Sequence, residues 1–352
     1  PFAAFVPVLG GSMGTDSSSE DALPPLFEDG PTGQEPPWAE HGTKLLHSEC
    51  GWSVIERRRP DGVIARWLVQ EGASSLDQTR VELRLPAEDG GEPSFLRDRL
   101  CAPCHQAVAL LLALALSAAD GVPSSPLACI LGGGGMALPM ALLSALPSLK
   151  AAVVERDAAA TRLARRFFGA GRLPHDKEDR LEVVEADALD YVLDGRVPRD
   201  ADALFVDIDF LRGTSEPPAA LVSREFWQAV WRAVRPSGLV SMNAIGGRRD
   251  LVDAVALAAL DGAGASASGL AAGALEPSGS AERSSWSPFV PRPSMLVIGR
   301  REHLDLLAGT AEALAAAVER ALWAQPLAAG FLRDLASGDG NLGRWRWIGR
   351  GE

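Results

Sequence analysis

Four consecutive glycines, Gly132, Gly133, Gly134 and Gly135, lie between two apolar runs. The run before them, at 127–131, predicts a buried strand, and the run after them, at 136–146, predicts a helix. Glycines at such a junction let the backbone bend tightly and approach a ligand beside a helix N-terminus. A turn needed only for packing is the alternative, but it would not need four residues of such high conformational entropy. We interpret the run as a ligand-binding loop.

Acidic residues follow the next three predicted strands. Glu155 ends the second strand, Asp187 follows the third, and Asp207 and Asp209 close the fourth. Because parallel strands in a doubly wound sheet place their carboxyl ends at one edge, we expect these acids to lie beside the glycine loop. The sequence therefore predicts one acidic site at that edge.

The spacing of these residues indicates an adenosine-containing ligand. Glu155 lies twenty residues past Gly135, where an acid can accept hydrogen bonds from ribose hydroxyls. Asp187 could accept from the exocyclic amine of adenine, although a solvated strand end and a helix cap are the respective alternatives. The glycines also fit G-x-G-x-x-A, ending at Ala137, so NAD must be considered. Acids at the ends of three strands, without a pyrophosphate-binding arginine pattern, favour a cationic sulfonium cofactor.

The elements around these residues alternate as strand and helix over 101–330, which predicts an α/β, doubly wound, mostly parallel sheet. Before them, 44–100 reads as a small antiparallel β domain, with a turn at Pro60-Asp61-Gly62. Residues 1–43 are rich in Pro, Gly, Ser and acids and predict a disordered tail. We expect a flexible insertion at 261–290 and a C-terminal tail at 331–352.

Composition excludes several classes of function. The 352 residues contain 46 acids against 34 Lys and Arg, a net charge of −12, which disfavours nucleic acid and anionic membranes as partners and suits a basic partner. The longest apolar stretch, 107–116, is too short to span a bilayer. Four cysteines do not make a disulfide framework, so we expect a reducing compartment, the cytoplasm. Residues 1–43 lack Lys and Arg, unlike a transit peptide.

At the residues of the predicted site the chain resembles a known family. It is similar to the spermidine synthase-like branch of class I S-adenosylmethionine methyltransferases, and within that branch to the methyltransferase-like 13 family, whose members methylate elongation factor 1-alpha. The similar segments are Leu131-Gly132-Gly133-Gly134-Gly135, Val153-Val154-Glu155-Arg156-Asp157, Phe167-Phe168-Gly169, Asp187-Ala188-Leu189-Asp190-Tyr191 and Phe205-Val206-Asp207-Ile208-Asp209. The likeness is clear over 127–243 and fainter over 44–126.

The resemblance implies a fold and a set of cofactor contacts. We expect a seven-stranded Rossmann-like methyltransferase sheet and S-adenosylmethionine as cofactor, with no metal. The four glycines would line its methionine part and Glu155 would hold its ribose. Asp187 and Ala188 would contact its adenine, and Asp207 would lie near its reacting end.

The resemblance also implies an acceptor side, formed by Asp207 and Asp209. We interpret Asp209 as the residue that binds or deprotonates an amine of a protein, a lysine or an N-terminus, in a translation-factor-like substrate. Polyamine synthases carry Asp-Ser-x-Asp here, whereas Asp209 is followed by Phe210-Leu211-Arg212. Aminopropyl transfer, a catalytically silent binding member of the fold, and a nicotinamide oxidoreductase are the alternatives. A homodimer is compatible with each of them.

One further motif, Cys101-Ala102-Pro103-Cys104-His105, matches the c-type haem attachment pattern. No second cysteine pair has metal-ligand spacing, since Cys50 and Cys129 stand alone. In polyamine synthases a helix of similar placement carries an aromatic-His-Glu sequence near the active site, which Cys104-His105-Gln106 resembles. We interpret the motif as a buried helix start with one half-exposed thiol.

Overall fold

The structure is a computed structural model and describes residues 43–70, 77–85, 93–118, 124–173, 179–208, 218–245, 249–264, 268–276, 293–309, 316, 324, 326–328 and 344–348. The tail predicted at 1–43 lies outside the described residues, apart from residue 43. In the described part of the chain, no helix has the length and hydropathy needed to cross a membrane.

The first sheet is an antiparallel meander whose strands follow one another in chain order. Its strands are β1 (Thr43–Glu49), β2 (Trp52–Arg58), β3 (Val63–Gln70), β4 (Asp77–Arg84) and β5 (Ser94–Phe95). The turn predicted between β2 and β3 is present: Gly62 has a φ of 78°, and Asp61 Oδ1 accepts from the Val63 N–H at 3.1 Å. The small N-terminal antiparallel sheet expected from the sequence is confirmed.

Within the described ranges, eight strands form the second sheet. They are β6 (Leu127–Leu131), β7 (Lys150–Glu155), β8 (Leu181–Glu185), β9 (Ala201–Val206), β10 (Val234–Ile245), β11 (Leu270–Glu276), β12 (Pro293–Arg300) and β13 (Arg344–Ile348). Their order is β13-β11-β12-β10-β9-β6-β7-β8. The five strands from β10 to β8 pair in parallel, and β12, β11 and β13 are added antiparallel beyond β10.

Helices cover both faces of this sheet. They are α1 (Pro103–Ala118), α2 (Ala137–Ala145), α3 (Ala158–Phe167), α4 (Ala188–Leu193), α5 (Arg224–Ala233), α6 (Arg249–Gly262) and α7 (Arg301–Ala308). Alternate residues of β6 face opposite cores, as expected for a strand buried on both sides. Ala128 and Ile130 pack with α1 and α2, whereas Cys129 and Leu131 pack with α5 and α6. The predicted doubly wound α/β fold is confirmed.

A third core joins the two sheets. Trp52, Val54 and Leu68 of the first sheet pack against α3 through residues that include Ala160 and Leu163. A hydrogen bond of 2.6 Å from Arg66 Nη1 to the Phe167 carbonyl holds the same helix at its end. The first sheet is therefore packed directly against the helix that follows β7.

The prediction of seven strands in the main sheet is wrong by one. β11 lies inside the segment predicted to be a flexible insertion, and β13 lies inside the predicted C-terminal tail. The sequence did not indicate β11, because the strand is rich in Ala and Gly, which have weak intrinsic β propensity. In the structure it pairs with β12 on one side and with β13 on the other. In β13, Arg and Trp alternate, which is the period of a half-buried strand.

Packing between these two strands gives a test of the added edge. A Cβ built on Gly273 of β11 would lie 2.2 Å from Trp345 Cζ2 of β13. Gly273→Ala should therefore lower the free energy of unfolding by about 1–3 kcal/mol in urea denaturation, because the indole must move out of a packed position. Gly299→Ala in β12 is the matched control, since its Cβ would meet nothing closer than 3.4 Å. Equal stability of the two variants would contradict the placement of β13.

Candidate cofactor and acceptor site

The glycine loop, Glu155 and Asp207 lie at the carboxyl ends of β6, β7 and β9. β6 lies between the other two strands, and its last residue, Leu131, pairs with Val154 of β7 and with Val206 of β9. The strand order reverses at this point, and doubly wound folds bind ligands in the crevice there. The Gly132 N–H donates to the Val154 carbonyl at 2.8 Å, and the Asp207 N–H donates to the Leu131 carbonyl at 2.7 Å. The glycine loop and Asp207 are thus adjacent.

The glycine loop is closely packed against its neighbours. Gly132 has a φ of 101°, and a Cβ there would lie 2.1 Å from the Asp207 carbonyl oxygen. A Cβ on Gly133 would lie 2.6 Å from Met136 Cε, and one on Gly135 would lie 2.7 Å from Thr79 Cγ2. Close packing therefore accounts for glycine at these three positions, as the alternative interpretation of the four glycines predicted. Whether the loop also lines a ligand stays a prediction.

The carboxylate of Glu155 is bonded into the glycine loop. Its Oε2 accepts from the N–H groups of Gly133 at 2.9 Å and of Gly134 at 2.8 Å, and its Oε1 accepts from the Asp157 N–H at 2.8 Å. An ionised carboxylate offers about four lone-pair sites, so about one remains for a ligand. Glu155 therefore shapes the loop and keeps acceptor capacity for a ligand, and its contact with a ribose stays a prediction.

Asp187 lies beside Glu155 and caps α4. Its Oδ1 accepts from the N–H groups of Leu189 at 2.9 Å and of Asp190 at 3.3 Å, and its Oδ2 lies 3.6 Å from Arg156 Nη1. The Ala186 N–H donates to the Glu155 carbonyl at 3.2 Å, which holds the ends of β7 and β8 together. Asp187 therefore does cap a helix, as one of the two interpretations of this residue predicted. Its contact with adenine, and that of Ala188 at the start of the same helix, stay predictions.

Asp207 is the centre of a polar cluster at the end of β9. Its Oδ1 accepts from Asn243 Nδ2 at 2.9 Å, and its Oδ2 lies 3.3 Å from His105 Nε2. His105 and Asn243 are 8% and 4% exposed, whereas the Asp207 side chain is 24% exposed and so reaches the solvent side of the cluster. Among the described residues, Asn243 Oδ1 has no hydrogen-bond donor. The partly exposed Asp207 carboxylate is therefore the group of this cluster that a ligand can reach.

Asp209, predicted to act on the acceptor, lies outside the described residues, as do Phe210, Leu211 and Arg212. Its role stays a prediction. Asp207 is the one acid of the predicted acceptor pair that the structure places.

The Cys-x-x-Cys-His segment forms the start of α1, as predicted. Cys104 is buried and Cys101 is half-exposed. Cys129, on β6, is a packing residue, because burial and the charge of Glu182 raise the pKa of its thiol to about 12 and keep it protonated. In the described ranges, no group of three or more His, Cys, Asp or Glu side chains could hold a metal ion.

Three site residues were missed by the sequence analysis: His105, Asn243 and Thr79. His105 carried a signal in the Cys-His-Gln segment, which resembles the aromatic-His-Glu sequence of polyamine synthases. Asn243 and Thr79 carried none, because an amide at the end of a strand and a hydroxyl within one are ordinary residues at such positions. Thr79, on β4, accepts at Oγ1 from the Gly135 N–H at 2.8 Å in a buried hydrogen bond.

No protein-family model matches the chain. Curated relatives do match. Among them, the eEF1A lysine and N-terminal methyltransferase of Danio rerio is 29% identical over 240 residues, 59% of this chain and 33% of that protein. The Homo sapiens protein of the same name is 31% identical over 169 residues, 46% of this chain and 23% of that protein. The chain therefore spans a third or less of the length of the relatives it matches.

One solved structure is similar to the chain in fold. A probable spermidine synthase from Corynebacterium glutamicum superposes with a TM-score of 0.52 at 18% identity, covering 86% of this chain and 95% of that one. At this identity the likeness concerns the fold alone. The resemblance predicted from the sequence is confirmed: the chain is similar in sequence to the eEF1A lysine and N-terminal methyltransferases and similar in fold to a probable spermidine synthase.

Proposed function

We propose that this chain is an S-adenosylmethionine-dependent methyltransferase that transfers a methyl group to a protein amine, a lysine or an N-terminus. The two relatives described above carry both activities in their name. Because the chain spans a third or less of their length, its activity and its substrate are our inference, and we argue them from the residues of the site.

The observation that carries the proposal is that the N–H groups of the glycine loop already have hydrogen-bond acceptors within the protein. Those of Gly133 and Gly134 are taken by the Glu155 carboxylate, and that of Gly135 is taken by Thr79. A dinucleotide needs such N–H groups for its pyrophosphate, and its negative charge would also meet Glu155. A sulfonium cation is attracted by the same carboxylate. The site therefore favours S-adenosylmethionine over NAD.

The residues present fit this cofactor. Glu155 would hold the ribose, the loop would lie along the methionine part, and Asp187 with Ala188 would face the adenine. When bound, S-adenosylmethionine supplies a methyl group activated by its positive sulfur. The protein contributes positioning and the exclusion of water, which together lower the barrier to an in-line displacement.

Asp207 is the group that we assign to the acceptor amine. A protonated amine has no free lone pair, so it must lose a proton before it can attack. The half-buried Asp207 carboxylate, held by His105 and Asn243, can accept a hydrogen bond from this amine and can take up its proton.

Calorimetric titration of the purified chain tests the proposal. We expect binding of S-adenosylmethionine and no comparable binding of its decarboxylated form or of NAD. Preference for the decarboxylated form would support aminopropyl transfer, and preference for NAD would support an oxidoreductase. If none of the three ligands binds, the result would support the alternative of a catalytically silent member of the fold.

A second experiment identifies the acceptor: the purified chain is incubated with cell lysate and radiolabelled S-adenosylmethionine. The net charge of −12 suits a basic protein acceptor, and the relatives act on the translation factor eEF1A. We therefore expect a labelled protein band rather than a labelled polyamine. A homodimer, a cytoplasmic location and the absence of nucleic-acid or membrane partners stay predictions.

A further inference from the structure

We propose that the first sheet contributes two positioning residues, Thr79 and Trp52, to the cofactor site. They hold the glycine loop and Glu155 in the geometry that binds the cofactor. The inference rests on the proposed function, because the ligand whose binding it affects is S-adenosylmethionine. It assigns to the N-terminal sheet a role in cofactor affinity.

Thr79 makes the direct connection. It lies on β4, is 4% exposed, and its hydroxyl accepts from the Gly135 N–H at 2.8 Å across a separation of 56 residues. Its methyl group fills the space that a side chain at Gly135 would need. The last glycine of the loop is therefore held by a residue from another sheet, through a bond and through packing.

Trp52 makes an indirect connection. Its Nε1–H donates to Asp157 Oδ2 at 2.7 Å, while Asp157 Oδ1 accepts from the Ala159 N–H at 2.8 Å and caps α3. The Asp157 N–H in turn donates to Glu155 Oε1. Trp52 is 5% exposed in the core between the two sheets, so its position is fixed by packing. It thereby fixes the residue that orients the Glu155 carboxylate.

These two connections complete the hydrogen bonding of the loop. The Gly132 N–H is bonded to β7, those of Gly133 and Gly134 to Glu155, and that of Gly135 to Thr79. Two of these three supports, Glu155 and Thr79, are fixed by the first sheet. A buried N–H that loses its acceptor is costly, so the loop is expected to move when either connection is removed. Cofactor affinity then falls although no ligand contact has been changed.

The test compares four variants by calorimetric titration with S-adenosylmethionine. Thr79→Val keeps the size of the side chain and removes the acceptor of the Gly135 N–H, and we expect about tenfold weaker binding or more, about 1.4 kcal/mol. Thr79→Ser keeps the hydroxyl and should restore affinity. Trp52→Phe keeps an aromatic ring without the N–H and should weaken binding by about threefold, since its effect passes through Asp157.

Arg66→Gln is the matched control. Arg66 also joins the first sheet to α3, at the Phe167 carbonyl, but it has no bond to the loop or to Glu155. Affinity should be unchanged in this variant. Equal weakening in Arg66→Gln and Thr79→Val would overturn the proposal, because docking of the sheet in general would then account for the effect. Unchanged affinity in Thr79→Val would overturn it as well.

Hydrogen exchange keeps the inference separate from the proposed function. Without any ligand, the Gly135 amide should exchange faster in Thr79→Val than in the unchanged protein and in Arg66→Gln. If the unchanged protein does not bind S-adenosylmethionine, the proposed function fails, and this exchange measurement still decides whether Thr79 holds the loop. Thermal melting curves establish that each variant is folded.

Discussion

Replacement of Glu155 by alanine is expected to weaken S-adenosylmethionine binding by about 100-fold, about 2.7 kcal/mol. The carboxylate accepts three backbone N–H bonds in the structure, two of them from the glycine loop. Bonds to a charged acceptor contribute about 1.5–3 kcal/mol each, and the N–H groups left behind lose their partners. The variant therefore loses the ribose acceptor and the shape of the loop together. Calorimetric titration measures the change.

Glu185 provides the control for this experiment. It is the pairing partner of Glu155 on β8, lies at the same edge of the sheet, and has an exposed side chain. Glu185→Ala removes the same charge from the same edge without touching the loop, so its affinity should stay close to that of the unchanged protein. If both alanine variants bind equally weakly, the effect is one of net charge, and the role assigned to Glu155 is wrong.

Glu155→Gln separates charge from hydrogen bonding. An amide has one oxygen, which can accept from Gly133 and Gly134, but its NH₂ group would then face the Asp157 N–H. We expect an affinity between those of the unchanged protein and the alanine variant. An affinity as low as that of Glu155→Ala would mean that the negative charge, and not the loop geometry, governs binding.

The core of the fold could be predicted from the sequence because its signals are local. β6, β7 and β9 are short runs of apolar residues, and the chain between them has helical patterning with clear caps, such as Asp157 at the start of α3. The carboxyl ends of parallel strands lie at one edge whatever the loops do, so the meeting of Glu155, Asp187 and Asp207 followed from topology alone.

The contacts that complete the site could not be predicted in this way. Thr79 reaches Gly135 across 56 residues, His105 reaches Asp207 across 102, and Asn243 reaches it across 36. Each contact depends on how whole elements pack, and no local pattern of residue types records that. Glu155 shows the same limit: its place in the chain predicted a ribose contact, whereas its bonds to the loop needed coordinates.

The cluster around Asp207 raises the question of why a partly exposed acid is held so firmly. Both of its oxygens have a side-chain partner, and both partners are buried. Holding a carboxylate in one orientation costs conformational entropy. This cost is offset where the carboxylate must contact a reacting group at a fixed angle. A cofactor contact alone would not need two buried supports. The arrangement favours an acid that acts on the acceptor nitrogen.

Asp207→Asn is therefore expected to reduce the rate of methyl transfer by about 10²- to 10⁴-fold, the usual contribution of a positioned acid or base. The amide keeps the shape of the side chain, but it cannot take up a proton from the acceptor amine. Affinity for S-adenosylhomocysteine, which lacks the positive charge on sulfur, should change little, since the amide would pack as the carboxylate does. Asp190→Asn, on an exposed side chain of α4, is the control and should retain full activity. A rate loss matched by an equal loss of S-adenosylhomocysteine affinity would place Asp207 in cofactor binding and leave the proton to Asp209.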